Sequence, residues 1–217
     1  VCCNFPETLE HLPKEKAVLT GSPIRQELLE GSRSAALEFC GLTDDKPVIL
    51  IIGGSLGSVA VNNAVRSVLP ELLKDFHVIH LCGKGKMDDS LKSLKGYVQF
   101  EYIQNQLKDL FALTDVVISR AGANAICELL ALHKPNILIP LSLEASRGDQ
   151  ILNANSFEKQ GFSYVIKEED LTSARLSEAI ANVFENRDTY IKAMEDSNQH
   201  DAVKKVVDII DEVAIQE

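Results

Sequence analysis

The chain has 217 residues and a formal net charge of −10 at pH 7, with 45% hydrophobic and 25% charged residues. That is length and apolar content for one sizeable α/β domain with its own core, and it excludes extended disorder. The acidic balance repels a phosphate backbone and an anionic membrane surface, so neither nucleic acid nor direct bilayer contact is expected of this chain.

No apolar stretch approaches the roughly 18–20 residues that span a bilayer; the longest, Pro47 to Ile52, is strand-sized. The five cysteines, Cys2, Cys3, Cys40, Cys82 and Cys127, are odd in number and form no C-x-x-C pair. They read as reduced, mostly buried thiols of a cytosolic protein rather than a zinc site or a disulfide framework. The chain opens on Val1 rather than Met, with no charged segment leading into an apolar one and a cleavage site. Val1-Cys2-Cys3-Asn4-Phe5-Pro6 reads as a strand end running into a loop, and the expectation is a fragment of a longer polypeptide.

Short Val- and Ile-rich runs alternate with longer amphipathic stretches, the rhythm of βα units around a parallel sheet. Strands are predicted over residues 17–20, 48–53, 78–82, 98–102, 115–119, 136–140 and 163–166. Several are apolar on both faces, as where helices cover both sides of a sheet. Residues 58–73 predict a helix whose one face carries Val61, Ala64, Val65, Val68 and Leu72. Further helices are predicted over 106–113, 124–132, 150–160 and 178–185, the last following Thr172 or Ser173 as a cap. Residues 22–45 read as a lead-in from an upstream domain. Residues 188–213 read as one long or two broken helices, with an apolar stripe (Val203, Val206, Val207, Ile209, Ile210) expected to dock on a neighbour. Without an internal repeat or a Pro/Ser-rich linker, the prediction is one α/β domain over residues 1–217. Its core is a Rossmann-like doubly wound parallel sheet, and 188–217 form a helical tail.

The strongest local signal is Val48-Ile49-Leu50-Ile51-Ile52-Gly53-Gly54-Ser55-Leu56-Gly57-Ser58, followed at once by a helix. A buried strand, a glycine turn and a helix start bring unpaired N–H groups and the positive end of the helix dipole to one place. Glycines there let a phosphate or sugar approach the backbone, and Ser55 adds a hydroxyl. The run is neither G-x-G-x-x-G nor a P-loop, and alone it is equally explained as a tight βα turn. A second turn of the same design runs from Ser119 through Arg120-Ala121-Gly122-Ala123-Asn124 to Glu128. In an open α/β sheet such turns share the carboxyl edge, and two of them suit a diphosphate. Glu128 is placed to accept hydrogen bonds from a ribose diol; a first-turn glutamate on the helix dipole is its bland explanation.

A third polar loop, Ser142 to Gln150, follows the 136–140 strand, and Asp149 and Gln150 present a carboxylate and an amide suited to sugar hydroxyls. Helix capping accounts equally for Asp149. Arg25, in Thr20-Gly21-Ser22-Pro23-Ile24-Arg25, is either a surface cation or a fork for a diphosphate. There is no H-E-x-x-H, no metal spacing among His11, His77, His80, His133 and His200, and no G-x-S-x-G elbow. Asp44-Asp45 and Asp88-Asp89 read as solvated loop carboxylates.

Together, Thr20–Arg25, Gly53–Gly57, Ser119–Glu128 and Arg147-Gly148-Asp149-Gln150 with Asn153-Ala154 resemble the MurG family of UDP-N-acetylglucosamine transferases. The resemblance covers most of residues 17–170, and its flavour is that of Gram-positive bacteria. It implies the donor-binding, C-terminal half of a two-domain GT-B glycosyltransferase, with the N-terminal acceptor domain absent. It implies that Arg25 contacts the donor diphosphate, that Gly54 and Ser55 belong to the loop reaching the donor, and that the backbone of Ile103 reads the uracil edge. Gly122, Ala123 and Asn124 would then line the second phosphate turn, with Glu128 on the ribose diol and Gln150, beside Asp149, on the sugar hydroxyls. Two departures stand out: Asn124-Ala125 lacks a hydroxyl that some relatives offer to phosphate, and Asp149 stands where others have glutamine.

The reaction so implied is an inverting transfer of N-acetylglucosamine from UDP-N-acetylglucosamine to undecaprenyl-diphospho-muramoyl-pentapeptide (lipid I), giving lipid II at the cytoplasmic face of the bacterial membrane. The general base, the lipid acceptor and the leaflet contact would belong to the absent domain, leaving this piece soluble and inactive alone. No cofactor is expected, and no ligand set for a stimulating divalent metal is seen. Three alternatives stay open: another UDP-sugar-dependent glycolipid glycosyltransferase, a UDP-N-acetylglucosamine epimerase, and a non-catalytic partner subunit.

Overall fold

A strand that is apolar on both faces must be covered on both, and Val48–Ile52 shows how this chain does it. In the computed structural model Val48 and Leu50 face one layer of helices while Ile49 and Ile51 face the other, all four without solvent exposure. The structure describes residues 1–54, 56–197, 199 and 201–214.

The chain begins with a two-stranded parallel sheet, β1 (Cys2–Cys3) and β2 (Val18–Leu19), with the short helix α1 (Pro6–Leu9) between them. Helix α2 (Arg33–Cys40) leads into the main sheet, which alternates strands and helices: β3 (Val48–Ile52), α3 (Val59–Asp75), β4 (His77–Leu81), β5 (Tyr97–Phe100), α4 (Leu107–Leu113), β6 (Val116–Ser119), α5 (Ala123–Ala131), β7 (Asn136–Leu138), α6 (Asp149–Lys159) and β8 (Tyr164–Val165). Helices α7 (Ser173–Glu185), α8 (Arg187–Glu195) and α9 (Ala202–Ala214) follow. The six strands run in the order β5-β4-β3-β6-β7-β8, every neighbouring pair parallel. The sheet therefore winds outward in one direction from β3 and in the other from β6, the doubly wound Rossmann order. On one face α3 and α7 bury Val61, Val65, Leu69, Leu176 and Ile180. On the other, α2, α4, α5, α6 and α8 bury Ala36, Leu110, Ile126, Phe157 and Met194. Each fully buried aliphatic side chain contributes about 1.5–3 kcal/mol relative to exposure.

The seven predicted strands are all present, their ends shifted by one or two residues. Two expectations are corrected. Residues 22–45 are more than a lead-in: they contain α2, capped by Ser32 at its start and closed by Gly41 at φ 62. Ala36 and Cys40 of α2 join the core, and Arg33 Nη1 donates to Leu113 O at 2.9 Å. The tail forms two helices, α8 and α9, in keeping with the broken-helix reading, but the stripe on α9 is only partly covered by the described chain: Val206 and Ile209 are half-buried, while Val203, Val207 and Ile210 are 39%, 47% and 59% exposed. Burial runs from Met194 on α8 to Ala202 at the start of α9 and thins beyond it. Among the described residues no helix is long and apolar enough to cross a membrane.

Candidate functional site

The register Ile52↔Ser119 sets the carboxyl ends of β3 and β6 side by side, where the sheet's winding reverses. A crevice opens at such a point because the connections on either side lead away from it. Two turns border it. The first, Gly53 to Ser58, uses left-handed backbone at Gly54 (φ 85) and Gly57 (φ 67), conformations that L side chains rarely adopt. A Cβ on Gly57 would lie 2.0 Å from Cys82 O, so this turn is packed directly on the loop leaving β4. Ser58 caps α3, accepting from Val61 N at 3.2 Å.

The second turn, Arg120 to Gly122, enters α5 differently. Gly122 is its N-cap with ordinary backbone (φ −67), offers no capping side chain, and has open space where a Cβ would stand. Helix α6 begins the same way, on Gly148 at φ 87 without a side-chain cap. The first turns of α5 and α6 thus keep backbone N–H groups that a capping oxygen takes up elsewhere, as Ser32 does on α2 and Thr172 on α7. Such N–H groups, with the helix dipole behind them, attract anions.

Arg120, quoted in the sequence motif without a role, proves central. It is 9% exposed and donates to Ile139 O (3.0 Å), Pro140 O (3.3 Å) and Ser58 Oγ (2.6 Å), and it pairs with Glu168. One guanidinium thereby ties the second turn to the cap of α3, the end of β7 and the loop after β8. Asn153 adds a tie from α6, its Nδ2 donating to Ala121 O at 3.0 Å. The sequence signal for Arg120 was a cation between a strand that is apolar up to Ser119 and a small-residue turn, a place that demands partners.

Arg25 Nε donates to Glu128 Oε1 at 3.1 Å, joining two residues 103 positions apart. The Glu128 side chain is 17% exposed and that of Arg25 is 45%, so the carboxylate is sheltered and the guanidinium open. Arg25 also lies 3.7 Å from Glu27 Oε1 through Nη1. Gly54 is exposed at the first turn, and Ser55 lies outside the described residues. Ala123 and Asn124 form the first turn of α5, with Asn124 exposed. Asp149 and Gln150 open α6; Asp149 is exposed, and Gln150 Oε1 accepts from Leu141 N at 3.2 Å, fixing the amide against the loop after β7. Ile103, just past β5, has its side chain buried in the core, which leaves its main chain as the part able to meet a ligand. A cavity of about 610 Å³ adjoins the same edge, between Pro140–Glu144 and Lys167–Glu169. Among the described residues no group of three or more His, Cys, Asp or Glu is placed to hold a metal ion.

A doubly wound parallel sheet with an uncapped helix start at its switch point defines a Rossmann-like α/β fold. The chain belongs to the family whose model is described as the glycosyltransferase family 28 C-terminal domain, matched over residues 48–213. It is 64% identical to the UDP-N-acetylglucosamine--N-acetylmuramyl-(pentapeptide) pyrophosphoryl-undecaprenol N-acetylglucosamine transferase of Lachnospira eligens, over 97% of this chain and 59% of that protein. The protein of the same name from Lachnoclostridium phytofermentans is 64% identical over 100% of this chain and 61% of its own length. The chain thus spans about three-fifths of the length of these relatives. Among solved structures, Acinetobacter baumannii MurG superposes with a TM-score of 0.70 at 23% identity, covering 98% of this chain and 60% of that one. The fold is accordingly one Rossmann-like half of a GT-B glycosyltransferase.

Proposed function

We propose that this chain is the UDP-N-acetylglucosamine-binding part of an inverting transferase that glycosylates lipid I to lipid II in peptidoglycan synthesis. The observation that carries the reading is the meeting of Arg25 and Glu128 beside the two glycine-bearing turns, with the uncapped start of α5, at the switch point. The 64% identity to proteins named for this transfer supports the choice of sugar and acceptor.

In this reading residues 1–217 act as one donor-binding unit with a helical tail from 188, and the acceptor domain lies elsewhere in the longer protein. The α- and β-phosphates sit between Gly54 and the Gly122–Asn124 turn, with Ser55 reaching the donor. Glu128 takes the ribose diol through its second carboxylate oxygen, and Arg25 turns its free Nη2 edge to the diphosphate. The main chain of Ile103 reads uracil, and Gln150 with Asp149 holds the sugar. The acceptor hydroxyl attacks the anomeric carbon from the side opposite UDP, the bond to the diphosphate breaks, and a β-glycoside forms. Negative charge grows on the departing diphosphate, where the starts of α3 and α5 and the Arg25 guanidinium stabilise it. With that charge met by the protein, the reading assigns no resident cofactor. The lipid acceptor, the general base and contact with the inner leaflet at the cytoplasmic face belong to the other domain.

Calorimetry tests this. The chain is expected to bind UDP and UDP-N-acetylglucosamine, and Glu128→Ala and Arg25→Ala to weaken each by about tenfold, the loss of one charge-assisted contact. Arg25 is nearly half exposed, so its removal is expected to change stability by under about 1 kcal/mol. Equal binding by both variants, or stronger competition by UDP-glucose than by UDP-N-acetylglucosamine, contradicts the reading.

A further inference from the structure

Beneath the first turn lies a set of polar contacts that donor binding itself does not require. Lys86 Nζ donates to Leu56 O at 2.6 Å and to Gly57 O at 3.1 Å, from the loop that follows β4. Arg66, on α3, donates through Nη2 to Lys86 O at 2.5 Å. Asn62, one turn earlier on the same helix, donates to Cys82 O at 2.9 Å, the carbonyl against which Gly57 is packed. Behind Asn62 the chain of bonds continues into the core: its Oδ1 meets His80 Nε2 at 2.9 Å, and His80 Nδ1 meets Tyr97 OH at 2.9 Å. Because Asn62 spends its amide on Cys82, its oxygen must accept, which makes His80 a neutral Nε2–H donor and Tyr97 the donor to Nδ1. Burial, and after it Arg66, holds the His80 pKa down at about 3, in keeping with that neutral form.

The nearby carboxylates do not claim Lys86. Asp88 Oδ1 accepts from Ser90 N and Oγ, and Asp89 pairs with Lys92. The ammonium is directed instead at two consecutive carbonyls of the glycine turn. A trans peptide sets its C=O and N–H on opposite sides, so fixing the Leu56 and Gly57 carbonyls also fixes where the N–H groups of Gly57 and Ser58 point. Gly57 N–H is used within the turn, donating to Gly54 O at 3.0 Å. The Ser58 N–H is thereby turned away from Lys86, at the start of α3. The same contact sets a positive charge behind a turn whose outer side faces the crevice.

We propose that Lys86, seated by Arg66, is a positioning residue that sets the diphosphate-binding geometry of the Gly53–Ser58 turn. It touches neither the nucleoside nor the sugar; it acts through the peptide groups of the turn. The proposal rests on the donor-site reading, and its consequence is specific: affinity for the diphosphate depends on Lys86, and affinity for the nucleoside does not.

The test compares the unaltered 217-residue chain with Lys86→Met and Lys86→Arg, by amide hydrogen exchange without ligand and by calorimetry with UDP and with uridine. Lys86→Met keeps an apolar stem and is expected to speed exchange of Gly57 while the amides of β3 and β6 stay protected. It is expected to lower UDP affinity about tenfold and leave uridine affinity unchanged, and Lys86→Arg to recover most of the loss. Unchanged exchange of Gly57 overturns the proposal; if UDP affinity falls all the same, Lys86 is a direct phosphate contact. Equal losses for UDP and uridine, or no recovery with arginine, overturn it too. An unaltered chain that binds neither UDP nor uridine overturns the donor reading instead, and the exchange of Gly57 then decides the role of Lys86 alone.

Discussion

The two turns that flank the crevice are built on opposite principles. The turn after β3 is fixed by backbone packing: Gly57 lies against Cys82 and Gly83 with no room for a Cβ, and Lys86 holds its carbonyls. The turn after β6 is fixed by side chains, its own Arg120 reaching back to the cap of α3 and Asn153 reaching in from α6, while a Cβ on Gly122 would meet nothing. A glycine that is needed for packing and a glycine that leaves space for a ligand look identical in a sequence. The structure tells them apart by what a Cβ would meet.

That contrast can be broken by experiment. The largest effect is expected from Gly57→Ala, which forces both a left-handed alanine and a collision with backbone atoms that cannot swing aside. A loss of roughly 3 kcal/mol or more in urea unfolding is expected; a loss under 1 kcal/mol would show that the turn yields.

A smaller effect tests the polar chain under the same turn. His80 is depressed to about 3 in the folded protein by burial and then by Arg66, against 6.5 for the free side chain. Between those values the unfolded chain binds a proton that the folded one does not. Stability contributed by neutral His80 is therefore complete above pH 6.5 and declines as pH falls toward 3, by up to about 1.4 kcal/mol per pH unit. His80→Gln should flatten the slope of unfolding free energy between pH 5 and 6.5 by that amount, and an unchanged slope would remove His80 from the account.

The smallest effect on folding is expected at Gly122→Ala, within about 0.5 kcal/mol of the unaltered chain, because its backbone is ordinary and its surroundings are empty. If that same variant weakens UDP binding, the empty space is where the ligand comes close. If it unfolds the chain, the contrast between the turns is wrong.

Much of this was legible beforehand. Val48–Ile52 and Val116–Ser119 are apolar on both faces, which demands a buried parallel sheet, and small-residue turns after each placed the crevice at their ends. The pairing of Arg25 with Glu128 was not legible, because it joins residues whose separation only the winding of the sheet removes. Arg120 and Lys86 were missed for a related reason: both act on backbone carbonyls, and carbonyls leave no mark on a sequence. Helix α2 was missed although Ser32 and Gly41 mark its ends, since the mixed composition of residues 22–45 masked its short apolar face. The exposure of the α9 stripe shows the limit of periodicity, which gives a helix its apolar side without saying what covers it.

The central claim is that the crevice between β3 and β6 receives the uridine diphosphate of a sugar donor. It is tested most directly by following the backbone amide resonances of the chain as UDP is added. The account predicts shifts gathered at Gly54–Ser58, Ile103, Gly122–Glu128 and the start of α6, with the amino ends of the strands unmoved. Saturable shifts centred elsewhere, or none at millimolar UDP with the fold intact, would contradict it.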